Sequence, residues 1–245
     1  MKRHYFFWTT CILFLVTGNT TAQLTHEDSA FYRSALSEAI DAYQQAIGDQ
    51  AGIYNGTLYA GYSFQFRGDS PYFNGGKPDT GSIYYDSVLY AGVPLYYDDL
   101  SQLVIIDDDG YKIQLNNERL DEFSIGAHHF IQLGRKANNK DGLDPGFYEL
   151  IYPGGIKVVK RTIKKSMDYI SGNDSAEKLI TRAERFYIEK DSVIHTAENE
   201  NEVAAILSDK KKEILRFIKK NKLKFRKDTE RTLMQVSIYY DQISQ

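Results

Sequence analysis

Between Gly52 and Arg161 the apolar and aromatic residues recur at about every second position, and short turn-forming stretches break the pattern again and again. The apolar segments read SIYYD, VLYAGVPLYYD, QLVIID, YKIQL, RLDEFSI, HHFIQLG, GFYELIY and IKVVKRTI. Between them lie Asp-Ser, Asp-Asp-Asp-Gly, Asn-Asn-Glu, Asp-Pro-Gly and Pro-Gly-Gly, which supply turn chemistry. Parallel strands need crossovers of roughly a dozen residues or more, and these gaps are too short for that. The stretch therefore predicts an antiparallel body made of meandering hairpins. Tyr54 to Phe66 reads as a further strand rich in aromatics, followed by a glycine–proline loop, RGDSPYFNGGKPDTG.

Helical periodicity flanks this body. Leu36, Ile40, Tyr43 and Ile47 recur at spacings of four, three and four before Gly48, with Glu27 and Asp28 at the positive end of the dipole. The carboxy-terminal segments ENEVAAIL, SDKKKEILRFIKKN and KDTERTLMQVSIYYDQ also carry apolar residues at helical spacing. Ser208 and Asp228 are the expected amino-terminal caps, and Asn221 is expected to close the middle helix. Between body and tail, SMDYISGNDSAEKLI is polar and reads as a loop or short helix. ERFYIEKDSVIHTA reads as two strands around a Lys190–Asp191 turn.

The first 22 residues have the secretory pattern. Lys2 and Arg3 precede the apolar run Phe6–Val16, and Thr20 and Ala22 stand before a cut ahead of Gln23. The apolar run is too short to span a bilayer comfortably. Cys11 lies inside it, away from the cleavage point, which excludes lipidation there. Cleavage removes the only cysteine and the only tryptophan, so no disulfide, thiolate nucleophile or sulfur metal site is expected. The expected organisation is a signal peptide over 1–22, a helix over 23–51, an antiparallel β body over 52–197 and a packed helical tail over 198–245. Together these form one α+β domain, whose sheet can curve toward a half-barrel.

Charge is unevenly distributed. Residues 23–150 carry 8 basic and 19 acidic side chains (8 − 19 = −11), and residues 151–245 carry 20 and 14 (20 − 14 = +6). An exported, net-acidic chain is a poor partner for nucleic acid. The basic residues concentrate in Lys210–Lys227, which holds ten of them. On a helix Lys212, Arg216, Lys219 and Lys220 share one face and Ile214, Phe217 and Ile218 another. That face suits anionic lipid, lipopolysaccharide phosphate or an acidic envelope protein. The competing reading is a solvated face attracted to the acidic body.

The remaining candidate sites are weaker. In Asp107–Gly110 the three aspartates are consecutive, so the segment fits a hairpin turn better than a calcium loop. His128 and His129 are adjacent on a strand and point to opposite faces, so they cannot share one metal ion. Asp98/Asp99 and Asp121/Glu122 are adjacent in the same way and do not face one another as glycosidase carboxylates must. No G-x-S-x-G elbow is present. No cofactor is expected, and Arg67–Asp69, an RGD tripeptide, carries no meaning by itself.

The ordered combination of YNGTLYAGY, SPYF, GSIYYDSVLYAGVPLYYD, LVIID, GFYELIY, VVKR and DKKKEILRFIKKNKLKFRKD resembles a family of secreted proteins of Bacteroidota. The resemblance covers nearly the whole chain after Gln23. It implies a cell-envelope setting, periplasm or cell surface, in a Gram-negative bacterium, and it transfers no activity, ligand or catalytic residue.

Three functions follow as expectations: a non-enzymatic binding protein of the envelope, a lipid carrier using a curved sheet, or a hydrolase of envelope glycans or peptides. In Gly81–Asp99 five of nineteen residues are tyrosines. Each Tyr-Tyr pair must place one ring inward and one outward. Tyr85 and Tyr97, or their neighbours, are the rings expected on the outer, binding face.

Overall fold

The computed structural model describes residues 52–108, 110–135, 143–170 and 176–244, together with positions 34, 35, 38, 39 and 42. The chain divides into two compact units, residues 1–46 and 47–245. In the first, the described positions are all helical, in keeping with the helix expected there, and Ser34 Oγ donates to Glu38 Oε1 at 3.3 Å. The signal segment lies outside the described residues.

The second unit is built on one large sheet. Its first strands are β1 (Thr57–Leu58), β2 (Gln65–Gly68), β3 (Asp79–Tyr85), β4 (Val88–Asp98), β5 (Leu103–Asp108) and β6 (Tyr111–Gln114). Then come β7 (Leu120–Ile125), β8 (His128–Leu133), β9 (Gly146–Pro153), β10 (Lys157–Ile170), β11 (Ala176–Lys190) and β12 (Val193–Thr196). The order across the sheet is β1-β6-β5-β4-β3-β7-β8-β9-β10-β11-β12, and β2 joins β11. Every pairing is antiparallel except β2 with β11. Three helices follow: α1 (Glu200–Ile206), α2 (Lys211–Lys220) and α3 (Thr229–Ser244). The fold is therefore α+β, with a large open antiparallel sheet.

Turn chemistry sets the hairpins. Asp86 and Ser87 have φ of 51° and 64°, and Asp191 and Ser192 have 52° and 62°. Both pairs adopt the left-handed two-residue turn whose twist matches flanking strands, and both spell Asp-Ser. In β4 an extra residue, Gly92 at φ 71°, sits where pairing steps from Gly81↔Val93 to Ser82↔Ala91. This bulge shifts the inward phase, so that Tyr90, Val93, Leu95 and Tyr97 all reach the core. Pro94 precedes Leu95, where pairing with β5 begins, so no β5 strand lies beside it.

A row of directly opposed residues crosses the sheet: Tyr90, Ile83, Phe123, Phe130, Glu149, Lys160 and Phe186. Opposed residues point to the same face, so all seven share one side. The aromatic end of the row belongs to a core with Tyr97 and Phe147, against which Ile53 and Phe73 pack. The Phe186 end belongs to a second core with Val158, Ile188 and the inward residues of the helices. Glu149 and Lys160 stand between the two cores as a buried charged seam.

The tail packs as expected through Ile214, Ile218, Leu233 and Val236, and Asp241 fastens α3 to the β9–β10 turn by accepting from Tyr152 Oη (2.8 Å) and Gly155 N (2.6 Å). Asp228 caps α3, accepting from Arg231 N at 3.1 Å.

Four expectations need correction. Ser208 does not cap α2. It opens a short 3-10 turn, and the residue before α2 is Lys210, which gives no side-chain cap. Asn221 does close α2, its side-chain amide donating to Phe217 O, but not in the left-handed conformation that asparagine tolerates: its φ is −89°, and the left-handed residue is Lys222. Tyr54–Phe66 is not one strand. Gly56 passes so close to β6 that a Cβ would lie 2.4 Å from Gln114 O, and the chain then turns at Gly61 with φ 69°. SMDYISGNDSAEKLI is neither loop nor helix where it is described: its ends continue β10 and β11, paired as far as Ile170↔Ala176. Solvent reaches both faces along Lys165–Tyr169, so polar residues occupy strand positions and the apolar alternation disappears.

Candidate functional site

On the face that carries the seam, the segment after β2 crosses the sheet and is fastened there by buried charges. A cleft of about 350 Å³ opens at this crossing, lined by Asp69, Tyr72, Phe73, Asn74, Asp99, Lys164 and Arg182, with Gly75 at its rim. Lys164 of β10 and Arg182 of β11 are register partners and share this face. The Lys164 side chain is 3 % exposed. Its Nζ donates to Ser70 O (2.8 Å) and Tyr72 O (3.1 Å), and lies 3.7 Å from Asp69 Oδ2 and 3.6 Å from Asp99 Oδ2. Asp69 Oδ2 is buried and accepts no hydrogen bond. A second cleft, about 560 Å³, lies between β11 and the start of α3, with Glu184, Arg226, Glu230 and Arg231 on its walls.

Asp98, fully buried, anchors the stretch between β1 and β2. Its Oδ2 accepts from Tyr59 Oη (2.8 Å) and Tyr62 Oη (2.7 Å), and its Oδ1 from Ser101 N (3.0 Å). Burial, then the bonds to Tyr72 and Asp98, raises the Tyr59 hydroxyl pKa, and burial likewise raises that of Tyr62. Neither phenol ionises under ordinary conditions. Asp98 and Asp99 point apart, as adjacency requires, toward two different tasks.

Desolvation pushes Asp99 up to about 6, against the attraction of Lys164 and Arg182 and with the help of Asp69. The folded chain therefore binds this proton more tightly than the unfolded chain does. Its contribution to stability is greatest below about pH 4 and falls as pH rises through 6. Asp99→Asn is expected to match wild type near pH 4 and to exceed it by about 2 kcal/mol at pH 7. Urea melts of both proteins across this range read that crossing gap.

Beside the cleft, His128 Nδ1 lies 2.5 Å from Glu149 Oε1, and Phe73 packs edge-on against the imidazole. Glu149 Oε2 is 2.6 Å from Lys160 Nζ, which also donates to Glu230 Oε2 at 2.7 Å. His129 faces the other way, 3.4 Å from Glu122. The two histidines do diverge. Among the described residues no hydroxyl or thiol lies within hydrogen-bond distance of His128, and no group of three or more His, Cys, Asp or Glu side chains is placed to hold a metal ion.

The tyrosine pairs alternate as expected but with the opposite sense. Tyr85 and Tyr97 are the inward rings, 1 % and 2 % exposed, while Tyr84 and Tyr96 face outward. Tyr97 packs against Phe73, Phe123, Phe130 and Phe147, and burial raises its hydroxyl pKa strongly. Tyr85 and Tyr97 are thus core residues and no docking surface. Tyr96 instead bonds Asp107 and lies under Lys112.

Lys212, Arg216, Lys219 and Lys220 are all exposed on α2, opposite the buried Ile214 and Ile218. The ion pairs that join tail and body run Lys190–Asp209 (2.6 Å) and Lys160–Glu230 (2.7 Å). They use the acids of the tail and the bases of the body, the reverse of what attraction between basic tail and acidic body would give. No cation from Lys211 to Lys227 has an acidic partner within 4.0 Å among the described residues.

Fold and site define an α+β protein with an open antiparallel sheet, a charged cleft on its helix-bearing face and an unpaired basic helix. No protein family, curated protein or solved structure matches the chain. No helix among the described residues is long and apolar enough to cross a membrane.

Proposed function

We propose that the chain is an exported, non-enzymatic envelope protein that docks on a surface of anionic lipid headgroups through α2. The carrying observation is the row Lys212, Arg216, Lys219 and Lys220, exposed and without an acidic partner among the described residues, while Asp209 and Glu230 of the tail pair with lysines of the body. The secretory pattern of residues 1–22 and the resemblance to secreted Bacteroidota proteins support the setting. The lipid-carrier reading is less favoured, because Tyr97, Phe123, Phe130 and Phe147 fill the first core with one another. A hydrolase is less favoured because, among the described residues, His128 and Glu149 have no nucleophile beside them.

Co-sedimentation with phosphatidylglycerol–phosphatidylethanolamine vesicles tests the proposal. Each basic residue near an anionic surface contributes about 1 kcal/mol. Substituting glutamine at Lys212, Arg216, Lys219 and Lys220 together is therefore expected to weaken binding by roughly a hundredfold or more. Wild-type binding should also fall steeply with salt. Equal binding to neutral vesicles, or a variant that binds like wild type, contradicts the proposal.

A further inference from the structure

The cleft above Lys164 has properties that its role in holding the crossing segment does not explain. Lys164 helps to fasten that segment, through the carbonyls of Ser70 and Tyr72, beside the backbone bonds Leu100 N to Pro71 O and Asp69 N to Ile180 O. The carboxylates around it are left short of donors. Each has a donor on Oδ1, Ser70 N for Asp69 and Gln102 Nε2 for Asp99, but Asp69 Oδ2 is buried without a hydrogen bond and Asp99 Oδ2 has only the ammonium, 3.6 Å away. A buried acceptor without a donor costs about 1–3 kcal/mol, so the cleft favours whatever can supply one.

The surroundings restrict that donor. A cationic ligand would approach the Lys164 ammonium and the Arg182 guanidinium, which line the same cleft. An anion or a zwitterion would need a free cation. Lys164 gives two of its three protons to carbonyls and holds the third between the carboxylates of Asp69 and Asp99, and Arg182, whose Nη2 is 2.5 Å from Glu184 Oε1, would bring an anion up against those same carboxylates. Two carboxylates against two cations leave no net charge to select an ion. What remains is a neutral molecule with hydroxyl donors. Partly buried rings of Tyr72 and Phe73 offer it apolar walls, and the exposed amide of Asn74 both donates and accepts at the rim. The volume, about 350 Å³, lies within the range of small-ligand sites. The raised affinity of Asp99 for protons agrees with a carboxylate poorly served by its neighbours.

We propose that the cleft formed by Asp69, Tyr72, Phe73, Asn74, Asp99 and Arg182 binds a neutral saccharide unit, whose hydroxyls donate to Asp69 Oδ2 and Asp99 Oδ2. This site lies apart from the basic helix and stands independently of the docking proposed for it.

Saturation-transfer NMR on the full chain tests this, using maltose, cellobiose and di-N-acetylchitobiose as probes, with acetate, ethylamine and glycine as charged comparators. At least one neutral disaccharide is expected to show saturable transfer and the comparators none. Asp69→Asn and Asp99→Asn should each weaken the bound disaccharide about tenfold or more. Asn74→Gly keeps the left-handed backbone at that position, removes only the amide and should weaken binding a few-fold, which separates ligand contact from folding. The proposal is overturned if no disaccharide binds, if a charged comparator binds in its place, or if Asn74→Gly and the two Asp→Asn variants all bind like wild type.

Discussion

Replacing Lys160 by alanine is expected to lower the unfolding free energy by about 3–5 kcal/mol, the usual cost of leaving a buried charge without its partner. The Lys160 and Glu149 side chains are each 8 % exposed and lie 2.6 Å apart in the row that crosses the sheet. Without the ammonium, Glu149 keeps only the imidazole of His128, and Glu230 loses its tie to the sheet. Burial works against the charged lysine, but the bonds to Glu149 and Glu230 outweigh it, so the Lys160 pKa is raised. Its contribution is therefore complete below about pH 10.5 and is lost only as pH rises through the raised value. The rescue is as informative as the loss. Lys160→Met with Glu149→Met makes the row apolar from Phe130 to Phe186 and should recover most of the stability, since apolar replacements of buried ion pairs are often neutral or better. Equilibrium urea unfolding of the three proteins at pH 7 measures both effects. A single substitution costing under about 1 kcal/mol would show that the seam is wet and weakly coupled.

Asp98→Ala is expected to cost about 3 kcal/mol or more, because a fully buried carboxylate that accepts from two phenols and a backbone amide disappears at once. The hydroxyls of Tyr59 and Tyr62 lose their charged acceptor, and what fastens the segment between β1 and β3 weakens. Trypsin should then cut faster after Arg67, which lies within that segment. Tyr59→Phe and Tyr62→Phe should each cost about 1 kcal/mol, the ordinary worth of a single hydrogen bond. Unchanged trypsin cleavage in Asp98→Ala would mean that the segment is held down without Asp98.

Much of the β architecture is legible in the residues. The Asp-Ser turns at Asp86 and Asp191 and the two-residue alternation of the intervening segments follow from local chemistry, and the register inherits both. The inward sense of Tyr85 and Tyr97 is not legible. Local spacing determines only that neighbours diverge, and the choice of face depends on the bulge at Gly92 and on Phe123 and Phe130 from distant strands. The strand character of Ser166–Ile170 and Ala176–Ile180 is hidden because cross-strand pairing, not burial, maintains it. The cleft draws on four separated segments, at Asp69, Asp99, Lys164 and Arg182. One sign of it is present in the sequence: Lys160 and Lys164 lie an even number of residues apart in a strand, hence on one face, and a buried face must then supply acids for both. On α2 the helix and its two faces are evident from spacing, whereas the absence of acidic partners is visible only in three dimensions.

The central functional claim is that the unpaired face of α2 meets an anionic surface. Acetylation footprinting of the full chain, with and without phosphatidylglycerol vesicles, reads this residue by residue. Lys212, Lys219 and Lys220 should be modified at least several-fold more slowly when vesicles are present, while the exposed Lys77 and Lys165 on the β body should react at unchanged rates. Equal rates at all five lysines, or protection of Lys77 and Lys165 instead, would contradict the assignment.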